Sequence, residues 1–309
     1  MALNRLFGKN VLITGANGFV GKHLTSKLID CSATVSTLTR FPSPLQQLEQ
    51  YIGDLRDNTF VEETVRTSNP NFIFHLAGYK NRTAAIPAFY DAIEHNVIGS
   101  LNLFHAASKL DSLEGIIIIG TAEEYGHNQC PFVEDMRESP VSAYSFSKLC
   151  LTNLCQVLHL QHKIPFTIIR PSLVYGPEQD ESMFLPALIK SLLEGKPFNM
   201  THGKQARDFL YVSDLIDSIV YATKNSQMNG EIFNVGSGKP TMIADIALMV
   251  GEMLNKPTLL RMGEIEYRSE EVMDYYVDNS KIRIMLGWTP KVDLKEGLIK
   301  TINFFKGVG

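Results

Sequence analysis

Tyr144 and Lys148 lie four positions apart in Ala143-Tyr144-Ser145-Phe146-Ser147-Lys148. That spacing is about one helical turn, so on a helix the phenol and the ammonium leave the same face. A lysine cation close to a tyrosine favours the phenolate and draws its pKa below the ordinary value of about 10. Such a pair exchanges a proton with an alcohol or a ketone near neutral pH. Helices that do no chemistry carry the same spacing, so its meaning depends on the rest of the chain.

A second cluster is Gly15-Ala16-Asn17-Gly18-Phe19-Val20-Gly21, which follows the apolar run Val11–Thr14 and opens a helical pattern. Glycines at such a turn let the backbone approach a pyrophosphate, and a helix N-terminus offers unpaired N–H groups and a positive dipole end. The later glycine lets the helix lie close to the sheet. The spacing is Gly-x-x-Gly-x-x-Gly rather than Gly-x-Gly-x-x-Gly. Gly15, Asn17, Gly18, Phe19, Val20 and Gly21 are therefore candidate dinucleotide-binding residues. An acid at the end of the second strand would serve NAD, and an arginine the 2′-phosphate of NADP. Thr37-Leu38-Thr39-Arg40 supplies the arginine and no acid, so NADP(H) is favoured, with NAD(H) as the alternative. Asp54 and Leu55 are placed to meet the adenine, and Leu76, Ala77 and Gly78 to end a central strand beside the crevice.

These residues need elements to hold them. Val11–Thr14, Thr34–Leu38, Phe72–Leu76, Gly115–Ile119 and Thr167–Ile169 read as buried strands, and Val20–Leu28, Ile93–Ser108 and Ala143–Leu158 as helices between them. That alternation predicts an α/β fold, a doubly wound parallel sheet of Rossmann type with right-handed crossovers. After Arg170-Pro171 the rhythm loosens. Ser182–Glu194 and Met242–Leu254 look helical, and Gly203–Asp208, Gly236–Pro240 and Met262–Ser269 look like loops. The expected division is a dinucleotide-binding domain of residues 1–175 with about 205–235, and a smaller interleaved substrate lobe of 176–204 and 236–309.

Composition narrows the class. The 309 residues are 44% hydrophobic and 20% charged, as in a globular protein rather than a disordered one. A formal net charge of −4 argues against a nucleic-acid-binding surface. The longest apolar run, Ile116–Ile119, is strand-sized, so no membrane span is expected. Cys31, Cys130, Cys150 and Cys155 show no Cys-x-x-Cys spacing, and no metal is called for. With no signal-peptide pattern, a cytoplasmic protein with free thiols is expected.

Taken in order, Gly15–Gly21, Leu76-Ala77-Gly78, Asn96, Thr121 before Tyr125-Gly126, Tyr144-x-x-x-Lys148, Arg170-Pro171-x-x-x-Tyr175-Gly176-Pro177, Arg207-Asp208-Phe209 and Phe233-Asn234-Val235-Gly236 span nearly the whole chain. The set resembles the extended short-chain dehydrogenases/reductases, and within them the nucleotide-sugar epimerase/dehydratase/reductase group. The resemblance implies an enzyme in which Tyr144 is the acid/base and Lys148 lowers its pKa and binds the nicotinamide ribose. Thr121 would hydrogen-bond the reacting oxygen. It places Pro171 at the cofactor and Arg207 and Arg268 on the diphosphate of a nucleotide-diphosphate sugar, and it implies a homodimer through the helices of Ala84–Ser108 and Ala143–His162.

The reaction turns on Thr121-Ala122-Glu123-Glu124-Tyr125-Gly126. Sugar 4,6-dehydratases acting on dTDP-glucose carry Asp-Glu after the threonine, and Ala122 removes the acid. GDP-mannose dehydratases keep only the glutamate, which Glu123 matches as a catalytic or substrate-binding residue. The string is most similar to that of GDP-4-keto-6-deoxy-mannose reductases. Arg40 fits an NADP(H)-dependent reductase of a nucleotide-linked 4-keto-6-deoxyhexose, whereas a 4-epimerase or a GDP-mannose-type 4,6-dehydratase is the alternative. A dinucleotide-binding regulator without chemistry is the remote one. Where relatives often have asparagine, three residues after Arg170, this chain has Leu173.

Overall fold

Val11, Ile13, Phe72, Phe74, Ile117 and Ile169 share one buried core, while Leu12, Ile73, Ile116, Ile118, Phe166 and Ile168 share another. Successive strand residues point to opposite faces, so this division marks a sheet covered on both sides. The computed structural model describes residues 5–43, 48–83, 85–224, 226–267 and 271–308.

The first half alternates between β1 (Asn10–Thr14), α1 (Phe19–Asp30), β2 (Thr34–Thr39), β3 (Glu49–Ile52), α2 (Asn58–Ser68), β4 (Phe72–His75), α3 (Ile86–Ile93), α4 (Gly99–Ala107), β5 (Gly115–Ile119), α5 (Ala143–His162) and β6 (Phe166–Pro171). The chain continues through β7 (Leu173–Tyr175), α6 (Phe184–Leu193), β8 (Phe198–Met200), β9 (Ala206–Tyr211), α7 (Val212–Ala222) and β10 (Ile232–Val235). It ends with β11 (Pro240–Met242), α8 (Ile243–Met253), β12 (Leu260–Met262), β13 (Asp274–Tyr275), α9 (Ser280–Leu286) and α10 (Leu294–Phe305).

Seven strands form one parallel sheet in the order β3-β2-β1-β4-β5-β6-β10. This is the doubly wound architecture expected. Helices α2, α4 and α5 cover one face through Val61, Val65, Leu103, Phe104, Leu151 and Cys155. Helices α1 and α7 cover the other through Leu24, Leu28, Leu215 and Ile219, and that core runs on into α6, α8 and α10. The winding reverses between β1 and β4, which opens a crevice outside their carboxyl ends.

A second sheet forms around β9, which pairs in parallel with β7 and β13 and antiparallel with β11. Strands β8 and β12 form a separate parallel pair. The expected loop at Gly203–Asp208 is therefore corrected: β9 begins at Ala206. Arg207 gains ladder partners in Thr241 and Tyr275, and buried Asp208 accepts bonds from the Ser237 amide and hydroxyl. The expected helix Ile93–Ser108 is also broken, by a π-helical turn at Glu94–Ile98 that joins α3 to α4.

Candidate active site

The glycine turn connects β1 to α1 at the reversal point. Gly15 has φ +74°, and a β-carbon there would lie 2.6 Å from the Ala77 amide nitrogen at the end of β4. A β-carbon on Gly21 would overlap the Gly15 carbonyl. The turn and the helix start are thus as close to the sheet as bare backbone allows. No side chain caps α1, whose N-cap is Gly18. Asn17 donates from Nδ2 to the Phe41 carbonyl at 2.8 Å, while its buried Oδ1 has no partner among the described residues. A bare, uncapped helix start fits a dinucleotide pyrophosphate.

Around it, Phe19 and Val20 pack against the core, and Arg40 is exposed just past the end of β2. Asp54 accepts a two-point bond from Arg56 at 3.0 and 2.9 Å, which holds its carboxyl down at about 2. Leu55 packs under Gly99 at the head of α4. Leu76, Ala77 and Gly78 follow β4 into the crevice, and a β-carbon on Gly78 would sit 3.3 Å from Lys148 Nζ. Pro171 ends β6 and is buried.

The reacting centre forms where β5 ends and α5 begins. Ser142 caps α5, its hydroxyl accepting the Ser145 amide at 3.1 Å. Tyr144 and Lys148 then project from one face of the helix, and both are buried. Thr121 leads a short 3₁₀ turn, Ala122–Tyr125, as its N-cap. Its hydroxyl accepts the Glu123 amide at 3.2 Å, and the Glu124 carboxylate accepts the Thr121 amide at 3.0 Å. The Thr121 hydroxyl interacts with the phenols of both Tyr144 and Tyr275.

Glu124 is fully buried and holds the centre together. It accepts from Thr152 Oγ1 at 2.8 Å and from Arg170 Nε at 2.9 Å, and Arg170 also reaches Glu138 at 2.6 Å. Asn96, in the π-helical turn, binds the loop after β4 through both Tyr79 backbone groups, at 2.6 and 3.0 Å. It also donates to Ser147 at 2.8 Å, and Ser147 donates to the Tyr144 carbonyl.

The charges depart from the sequence expectation. Lys148 donates to the Ile119 carbonyl at 2.8 Å, and burial lowers its pKa to about 8 against the pull of Glu124. Tyr144 is raised well above its ordinary range, first by burial and then by the Glu123 carboxylate. The expected lowering of the phenol's pKa is therefore not realised here, because desolvation and the Glu123 carboxylate outweigh the Arg82 cation. One cation that does lower it is the Arg82 guanidinium, 5.3 Å from the Tyr144 ring centroid. Glu123 is not a free base: Arg82 grips it through Nε at 2.9 Å and Nη2 at 2.7 Å.

Arg207 is held by Glu271 at 2.7 Å and sits opposite Tyr275 in the β9–β13 ladder. Arg268 lies outside the described residues.

With this geometry in view, comparison with known proteins decides the family. The model of the NAD dependent epimerase/dehydratase family matches residues 11–236. The chain belongs to this family. A putative UDP-glucose 4-epimerase of Methanocaldococcus jannaschii is 29% identical, covering 96% of this chain and 98% of its own length. The human dTDP-D-glucose 4,6-dehydratase is 29% identical, covering 97% of this chain and 91% of its own length. The crystal structure of the Thermotoga maritima UDP-glucose 4-epimerase with UDP-glucose superposes with a TM-score of 0.89 at 25% identity, over 96% of this chain and 99% of that one. The expectation of an NAD(P)-dependent enzyme of the extended short-chain dehydrogenase/reductase type is met, and the preference for NADP(H) is not supported by these relatives.

The epimerase/dehydratase family takes a nicotinamide dinucleotide; the glycine turn and Lys148 would hold it, and when bound it would supply the hydride acceptor and donor. The structure also brings in residues without a role in the sequence reading. Arg82 and Lys80 come from the irregular loop after β4, and Tyr275 from a two-residue strand. Glu124 could have been found from the Thr-x-x-Glu pattern of a capping box. Tyr275 had no local signal. No helix among the described residues is long and apolar enough to cross a membrane.

Proposed function

We propose that this family member oxidises and re-reduces a ring hydroxyl of a nucleotide-diphosphate sugar, with 4-epimerisation as the net outcome. The convergence of Thr121, Tyr144 and Lys148 beside the carboxyl ends of β4 and β5 carries this reading. Tyr144 takes the hydroxyl proton as the carbon is oxidised and returns it on reduction. Thr121 hydrogen-bonds the reacting oxygen, Lys148 the nicotinamide ribose, and Arg207 and Arg268 the sugar's diphosphate. Asp54 and Leu55 face the adenine, and the lobe of 176–204 and 236–309 covers the sugar. Dehydration is disfavoured, because Ala122 offers no acid and Glu123 is occupied by Arg82.

One residue favours a second reading. Arg40, with no acid at the end of β2, suits NADP(H) and hence reduction of a nucleotide-linked 4-keto-6-deoxyhexose. We further propose a homodimer through α3, α4 and α5.

The test is to release and identify any dinucleotide in the purified protein, then incubate the protein with UDP-, GDP-, dTDP- and CDP-linked hexoses and 4-keto-6-deoxyhexoses. Bound NAD and hexose interconversion without net oxidation support the epimerase. Stoichiometric NADPH loss with one keto sugar replaces it with the reductase. Turnover of neither group of sugars overturns both readings.

A further inference from the structure

Tyr144 works in a crowded electrostatic setting. The loop after β4 brings Arg82, with Lys80 behind it. The turn after β5 brings Thr121, Glu123 and Glu124, α5 brings Lys148, and β13 brings Tyr275. Two carboxylates oppose ionisation of the phenol, Glu123 more strongly than Glu124. Glu124 is matched by Arg170, with both side chains fully buried. Glu123 is matched by Arg82 through a two-point fork.

That fork also fixes where Arg82 points. The same guanidinium lies 5.3 Å from the centre of the Tyr144 ring. Nearly half of its side chain is exposed, so it is held there by Glu123 rather than by packing. Lys148 is directed to the Ile119 carbonyl. We propose that Arg82 is a positioning residue for the acid/base: gripped by Glu123, its guanidinium balances the charge Tyr144 acquires on giving up its proton. Glu123 then acts as the anchor of Arg82, not as a proton acceptor from the sugar. The inference rests on Tyr144 being the proton-transferring group.

The test needs no sugar, so its failure is separate from failure of the epimerase reading. 3,5-Difluorotyrosine placed at 144 is more acidic than tyrosine, and its ionisation is followed by fluorine NMR in the purified protein. Arg82→Met leaves Glu123 uncompensated and raises the midpoint by about one pH unit, the low end for a partly solvated neighbouring charge. Glu123→Gln removes the opposing charge while its amide oxygen still accepts from Arg82 and keeps the guanidinium in place, so it lowers the midpoint. The double variant returns close to the starting value, and Arg82→Lys moves it less than Arg82→Met. A loss of structure would move both single variants the same way and would not be reversed in the double variant. A midpoint unmoved in both single variants, or moved in the same direction in both, overturns the proposal.

Discussion

Tyr144 is a buried phenol whose two neighbouring carboxylates are each paired, Glu123 with Arg82 and Glu124 with Arg170. On the proposed function its hydroxyl moves the proton, so removing it strikes the chemistry alone. Tyr144→Phe should lower turnover by about 10²–10⁴-fold or more. Dinucleotide affinity, measured by calorimetry, should be unchanged, and undiminished turnover would refute the assignment. Glu124 is a different case. Glu124→Ala strands Arg170 in the core with Glu138 as its remaining carboxylate partner and frees the Thr121 amide, so urea unfolding should show a loss of about 3 kcal/mol. A loss below about 1 kcal/mol would mean that the pair is not structural.

At the scale of elements, His75 joins three of them. Thr14 Oγ1 at the end of β1 lies 2.7 Å from its Nδ1, and Ser100 Oγ in α4 lies 2.7 Å from its Nε2. Ser100 spends its only proton on the Asn96 carbonyl, so Nε2 donates to it, and the Thr14 hydroxyl can donate to Nδ1 of a neutral ring. Burial, with the Lys148 charge second, lowers its pKa to about 3, which keeps the ring neutral. Unfolded histidine titrates near 6.5, so between those values the unfolded chain binds the extra proton and stability falls as the pH falls. Wild-type protein should lose stability from pH 6 to pH 4 more steeply than His75→Gln, by about 1.4 kcal/mol per pH unit. Parallel slopes in urea titrations would contradict a neutral His75. The strands beneath this network were legible because Ile- and Val-rich runs leave little choice of structure. β3 was not: Glu49–Ile52 is a polar edge strand without an apolar pattern. β9 was hidden because Arg207 and Asp208 read as loop residues until their ladder partners from Pro240–Met242 and Asp274–Tyr275 are known. The glycine turn, Thr121, Tyr144 and Lys148 were legible because each follows a strand end or shares a helix face. Arg82 reaches Tyr144 only through the course of a loop.

At the scale of the molecule, α5 has two working faces. One carries Tyr144, Lys148, Leu151 and Cys155 inward, while Phe146, Val157 and Leu160 remain exposed on the other. Phe146 packs against Phe89 of α3 at 5.7 Å between centroids, which makes the exposed stripe continuous with Ile86 and Tyr90, each 73% exposed. Ile98 and Leu101 extend it toward α4. Single exposed apolar residues are ordinary, but a run of them across packed helices is the kind of surface the proposed homodimer would cover. A second copy of the same helices meets that need, since a two-fold axis pairs each apolar residue with apolar residues of its mate. Light scattering should give twice the chain mass of 34.6 kDa. Val157→Glu with Leu160→Glu places charges at the seam and should give the single-chain mass. Because α5 also holds Tyr144, the same substitutions should lower the melting temperature and reduce turnover without touching the crevice. A single-chain mass for the wild type at every concentration would remove the dimer and leave the apolar stripe unexplained.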